Sequence, residues 1–183
     1  MAIQTRLSID EFLRGDWPPG AQLIDGEVIV NDPTHRHQRA CKRILFALEL
    51  WIRSESGRGE AGFGENWTVA PGQVFKPDVW WVPEDRVLDL DAGRHDDPPA
   101  LVVEVRSPGT WRFDVGRKRD VYQEVGVQEL WLVDTPASTV IVLRRSITES
   151  PAFDVNAEVG PGEILTSPLL NGFELAIDGL FGD

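Results

Sequence analysis

The chain has one cysteine, no long apolar run and too few basic residues to balance its acidic ones, and each shortage excludes something. Cys41 alone cannot form an internal disulfide, which fits a reducing cytoplasm better than an oxidising compartment. The opening MAIQTRLSIDEFLRGDW has no apolar signal-type segment, and no later run approaches a membrane span. A cytoplasmic protein with no membrane partner is therefore expected. Eighteen Lys and Arg stand against 30 Asp and Glu, a net charge of −12 that argues against binding nucleic acid by bulk electrostatics. No repeat or low-complexity linker divides the 183 residues, so one domain over 1–183 is expected.

The charge is uneven. Between His35 and Arg58, six Lys and Arg face only Glu49 and Glu55, and between Leu101 and Asp120 five basic residues face three acidic ones. These segments leave room for a local polyanion site or for solvated helix faces.

Hydrophobic periodicity gives the elements. Ser8 can cap a short helix, IDEFLR, and Asp25-Gly26 between apolar pairs signals a two-residue hairpin. After Pro33, Cys41, Ile44, Leu45, Leu48, Trp51 and Ile52 recur at helical spacing to about Ser56. AGFGENWTVA and VFKPDVWWVP read as two strands joined by a turn at 71–72, followed by an acidic surface loop from Glu84 to Pro99. PALVVEVRS is apolar enough to be a strand buried on both faces. A helix from about Arg112 to Val125 and a hairpin around Asp134-Thr135-Pro136 follow, then short strands. The order implies an α/β fold around a central mixed β-sheet.

One strand and the next helix each carry a charge where water should be absent. Alternation puts Val102, Glu104 and Arg106 on one face of LVVEVRS and Leu101, Val103 and Val105 on the other. Helical spacing groups Lys118 with Val115, Tyr122 and Val125. A buried charge costs several kcal/mol unless paired, so each group needs a partner or a task. Glu104 and Lys118 could pair with each other, or Lys118 could reach Asp114 at i−4 and extend to solvent. Asp78, in KPDVWWVP, adds a second carboxylate close to a buried strand. Two carboxylates from adjacent strands can also hold a hard divalent cation such as Mg²⁺, so spacing leaves a metal site and a structural ion cluster both open.

The motifs PD at 77–78, VVEVRSP at 102–108, Asp114-Lys118-Tyr122 and GVQELWLVD at 126–134 stand in a specific order. With LIDGEVIV at 23–30 and the helix start at Pro33-Thr34-His35, the chain resembles the Uma-type family of restriction-endonuclease-like proteins, a branch of the PD-(D/E)XK nuclease superfamily. That resemblance implies a restriction-endonuclease-like core and a Mg²⁺ (or Mn²⁺) site at Asp78, Glu104 and the backbone carbonyl of Val105. It also implies DNA as partner, and by analogy a homodimer. The superfamily's lysine position, two residues after the glutamate, is occupied here by Arg106. Lys118 then resembles the displaced lysine, supplied from the following helix, and Arg106 suits a phosphate clamp. Glu27 resembles the early acidic residue of such nucleases, or is an exposed strand carboxylate.

His35 and His37, two apart, do not share a helical face and read as phosphate contacts or surface residues, with His35 the candidate for substrate. The two histidines are not expected to form a metal pair, and with no second cysteine a zinc site is not expected either; Cys41 reads as core. Trp51, Trp80 and Trp131 lie in apolar runs and read as core, while Trp111, in SPGTWRFD, is the aromatic suited to touch a substrate. Ser107 suits a capping role. Two function classes remain: a metal-dependent endonuclease cutting DNA phosphodiester bonds, and a catalytically silent nuclease fold acting as an assembly or regulatory module.

Overall fold

A computed structural model describes residues 6–89, 91 and 94–182. Helix α1 (Ile9–Arg14) starts at a capping box, in which the Ser8 hydroxyl accepts from the Glu11 N–H and the Glu11 carboxylate accepts from the Ser8 N–H. The hairpin of β1 (Ala21–Ile24) and β2 (Glu27–Val30) turns at Asp25 and Gly26, with φ of 51° and 79°. Two consecutive positive φ values are what a tight hairpin needs, and Asp-Gly supplies them at low cost.

Helix α2 (His35–Arg53) begins where the Thr34 hydroxyl accepts from the His37 N–H. Its fully buried line is His37, Ala40, Ile44, Leu48 and Trp51, while Cys41, Leu45 and Ile52 flank it half-buried. The helix face is therefore centred slightly off the expected stripe, and it includes a histidine. Just beyond the helix, Gly59 adopts φ 75°, and a Cβ there would meet the Val82 carbonyl oxygen at 2.0 Å.

The two strands expected between residues 61 and 83 are four. β3 (Glu60–Gly62) and β6 (Val79–Val82) pair with each other, whereas β4 (Trp67–Ala70) and β5 (Gln73–Phe75) form a hairpin in a different sheet. Pro77 explains one break, since it has no N–H to continue a ladder. The interruption Lys76-Pro77-Asp78 carries the chain from the smaller sheet to the larger one.

β7 (Leu101–Val105) is buried along its whole length and runs parallel to β8 (Glu129–Asp134). β9 (Thr139–Arg144) and β10 (Val155–Val159) extend that sheet antiparallel, giving the order β10-β9-β8-β7-β6-β3. The smaller sheet runs β2-β1-β5-β4, and β11 (Ile164–Thr166) pairs with β12 (Glu174–Ala176). The parallel β7–β8 step requires a crossover, supplied by a helical segment. The single helix expected there consists of α3 (Trp111–Phe113), a π-helical turn (Asp114–Lys118) and α4 (Arg119–Glu124), with Gly116 leaving helical dihedrals at φ −113°, ψ −106°. Helix α5 (Ile177–Phe181) closes the described chain.

The larger sheet is covered on both faces, as the uniformly apolar β7 foretold. Leu101, Val103 and Val105 pack with Trp131 and Val133 against α2, the β11–β12 ribbon and α5. Val102, Leu130 and Leu132 pack on the other side against Val121 and Tyr122 of the crossover and Trp67 and Phe75 of the smaller sheet. The fold is an α/β arrangement with a mixed sheet flanked by helices. Alternation on α2 gives a direct check. Leu48→Ala, at a fully buried position, should lower unfolding free energy by about 2–5 kcal/mol in urea melts, while Leu50→Ala, 55% exposed, should stay within about 0.5 kcal/mol.

Candidate active site

Three carboxyl groups and one ammonium meet where β6 enters the larger sheet. Asp78 stands just ahead of β6, whose first pair with β7 is Val79–Val103, so it lies at the end of β7 next to Glu104 and Val105. The Asp78 carboxylate Oδ2 accepts the Val105 N–H at 2.7 Å, which locks the start of β6 to the end of β7. Lys118 Nζ lies 2.6 Å from Glu104 Oε1 and 3.1 Å from Asp114 Oδ1. Tyr122 donates its hydroxyl to the same Glu104 oxygen at 2.6 Å. Glu104 is 2% exposed and Lys118 1%, so Lys118 does not extend to solvent. Both pairings that spacing allowed, with Glu104 and with Asp114, occur together.

Burial pushes the Glu104 carboxyl up to about 8, with Asp114 and Asp78 adding to the rise and Lys118 opposing it. Burial raises Asp114 as well. For Lys118, burial favours the neutral amine, but Glu104 and Asp114 outweigh it and the net shift is upward. Lys118 is therefore an ammonium at neutral pH, a donor and a positive charge, and not a proton acceptor.

The residues fit a divalent cation on two counts. Asp78, Glu104 and Asp114 outnumber the one ammonium. Among the described residues, no hydrogen bond or ion pair reaches Asp78 Oδ1 or Glu104 Oε2.

Asp78 also faces a cleft of about 930 Å³, whose wall carries His35, Arg39, Lys42, Arg43 and Lys76. Glu104 and Lys118 lie behind this wall. Arg43 donates to the Leu180 carbonyl at 3.0 Å, and Arg39 and Arg43 both reach that of Gly182. Among the described residues Lys42 and Lys76 make no ion pair, so their charges face the cleft uncompensated.

His37 and Cys41 behave differently from their expected roles. His37 is not a surface residue: it is 2% exposed, with Nε2 3.0 Å from Asp78 Oδ2. Cys41 is half-buried: it packs against the core and also lines the cleft, with Sγ 3.5 Å from His37 Nδ1. Burial, with Asp78 and Glu104 nearby, pushes its thiol well up, so it is no nucleophile at neutral pH. Their i, i+4 spacing was the available signal; its meaning depended on Asp78 arriving from 41 residues away.

His35 is exposed on the cleft wall. The other candidates are not among the residues lining the cleft. Arg106 forks onto Asp134 at 3.0 and 2.8 Å and lies over the Trp111 ring at 5.6 Å. Trp111 is half-buried against the core behind the crossover. Glu27 is exposed on β2, and among the described residues nothing ties it to Asp78, Glu104 or Lys118. Ser107 Oγ lies 2.6 Å from both Asn31 Oδ1 and Thr110 Oγ1, and its backbone carbonyl accepts from the Trp111 N–H at the helix start.

A family model described as Uma2, putative restriction endonuclease, matches residues 10–178. The crystal structure of a putative nuclease belonging to DUF820 from Anabaena variabilis superposes with a TM-score of 0.81, at 20% identity, covering 96% of this chain and 97% of that one. At that identity the likeness speaks for the fold. The comparison with curated proteins found no match.

Glu104 gives a test with a definite sign. Its folded-state value lies above the unfolded value of 4.5, so its contribution to stability is complete below pH 4.5 and is lost as pH rises through about 8. In chelator-treated protein, the stability of wild type minus that of Glu104→Gln should fall across this window. A difference that rises with pH would contradict the assignment.

Proposed function

Because the chain belongs to the Uma2 family of restriction-endonuclease-like proteins, we propose that it is a Mg²⁺- or Mn²⁺-dependent endonuclease that hydrolyses DNA phosphodiester bonds. What carries this reading is one observation: the Asp78 carboxylate is fixed on the Val105 N–H, one residue from Glu104 with its Lys118 ammonium, and Asp78 lines a cleft bearing basic side chains. Asp78 and Glu104 would hold the cation, each through its free oxygen, with the Val105 carbonyl as the further ligand that the family resemblance implies. Bound there, the cation supplies positive charge to a phosphoryl oxygen and lowers the pKa of a water.

The protein's own groups do the rest. Lys42, Lys76 and His35 hold phosphates along the cleft, where two lysines free of ion pairs serve despite the overall negative charge. Lys118, held as an ammonium, steadies negative charge that develops on the phosphate or the attacking water. Tyr122 and Asp114 keep Glu104 and Lys118 in place. Cutting both strands of a duplex takes two such sites, so the proposal extends to a homodimer, working in the cytoplasm on DNA. Among the described residues no helix is long and apolar enough to cross a membrane.

The enclosure of Glu104 by Tyr122 and Lys118 favours a second reading, a silent nuclease fold with a structural ion cluster, and one experiment separates the two. Plasmid and single-stranded DNA should be cut with Mg²⁺ or Mn²⁺, and Asp78→Asn, Glu104→Gln and Lys118→Ala should each reduce cleavage at least about 100-fold. Folded wild-type protein that cuts neither substrate would leave the silent reading standing. Separately, Lys42→Ala with Lys76→Ala should weaken DNA binding and reduce the slope of log affinity against log salt by about 1–2, read by fluorescence anisotropy in Ca²⁺.

A further inference from the structure

The cleft wall carries a second constellation, two of whose three members hydrolysis does not use. His37 and Cys41 stand one turn apart on α2, and Asp78 comes up beside them from the start of β6. One ligand atom from each, imidazole nitrogen, thiol sulfur and carboxyl oxygen, lies within 4.8 Å of the other two. The three are a mixed soft and borderline donor set, unlike the all-oxygen set that Mg²⁺ prefers.

We propose that His37, Cys41 and Asp78 form a binding site for a thiophilic divalent cation of the zinc class, with its remaining position open to the cleft. Three geometric features support it. A tetrahedral zinc site with ordinary Zn–N and Zn–S bonds has edges of about 3.3–3.7 Å, and the three ligand atoms already lie within 4.8 Å of one another, with His37 Nε2 3.0 Å from Asp78 Oδ2, so small side-chain shifts bring one imidazole nitrogen, the sulfur and a carboxyl oxygen onto one cation. Asp78 retains Oδ1 without a partner among the described residues. His37 is held by burial, so little side-chain freedom is lost on binding. Three protein ligands and an open fourth position are the pattern of an exchangeable site, not of a closed structural one.

Asp78 belongs to both constellations, so the two cations compete. This consequence rests on the nuclease reading, whereas the zinc-class site does not. A zinc-class ion at His37 and Cys41 withdraws Asp78 from Glu104, which makes the site a thiol-gated inhibitor position on the same cleft.

The test is a Co²⁺ titration of the intact, metal-free protein in a non-thiol reductant, followed by absorbance. One equivalent should bind with a sulfur-to-cobalt charge-transfer band in the near ultraviolet and d–d bands of tetrahedral intensity. Cys41→Ser should abolish the charge-transfer band, and His37→Gln should weaken affinity at least about tenfold, with circular dichroism and thermal melts confirming that each variant folds. Zn²⁺ should displace Co²⁺ stoichiometrically. No band at saturating Co²⁺, or a band unchanged in Cys41→Ser, overturns the site. Adding millimolar Mg²⁺ should weaken Co²⁺ binding; an isotherm indifferent to Mg²⁺ overturns the shared role of Asp78 while leaving the Cys41-dependent band in place. DNA cleavage is read separately, so failure of the nuclease reading leaves the cobalt result intact.

Discussion

The Lys118 ammonium lies buried between Glu104 and Asp114, 2.6 and 3.1 Å away, and the local architecture serves to keep it there. Removing one partner from such a buried pair typically costs about 3–5 kcal/mol, because the other charge is left without compensation. The site therefore holds itself together: Lys118 makes Glu104 tolerable inside the sheet, and Glu104 with Asp114 makes Lys118 tolerable on the covered face of the crossover. Tyr122 adds a hydroxyl to the same carboxylate oxygen. The crossover kinks at Gly116, between Asp114 and Lys118, where it must deliver both charges to the sheet.

Asp78 joins this cluster through the backbone. Pro77 ends one strand, the chain crosses between sheets, and Asp78 takes the Val105 N–H as β6 begins. A residue forced out of the regular ladder thus becomes the link between the buried pair and the open cleft. On the cleft side it meets His37, Cys41 and the basic wall; on the sheet side it holds the Val105 N–H, next to Glu104. One carboxylate between two environments accounts for both the hard-cation reading and the thiophilic one.

Much of this was legible in the sequence because it follows local periodicity. Alternation along LVVEV put Glu104 on the same face as Val102, and helical spacing aimed Lys118 and Tyr122 at the sheet. The capped first helix and the Asp25-Gly26 hairpin also followed from residue type alone. What was not legible depended on pairing across long separations. The splitting of two expected strands into four was hidden because Gly64 and Pro77 mark breaks without saying which sheet each piece joins. Arg106 was open to a phosphate role until the parallel β7–β8 pairing brought Asp134 alongside it. His37 and Cys41 gave only an i, i+4 pair, and the carboxylate that gives it meaning arrives from another sheet edge. The family's order of motifs located Asp78, Glu104 and Lys118; only the fold could show which of their oxygens remain free.

The central claim is that Asp78 and Glu104 together hold a divalent cation beside Lys118. Anomalous diffraction from crystals equilibrated with Mn²⁺ tests it most directly. The account predicts a strong peak within bonding distance of oxygens from both carboxylates, with Lys118 still close to Glu104. A peak absent at saturating Mn²⁺, or present only away from Glu104, would contradict it.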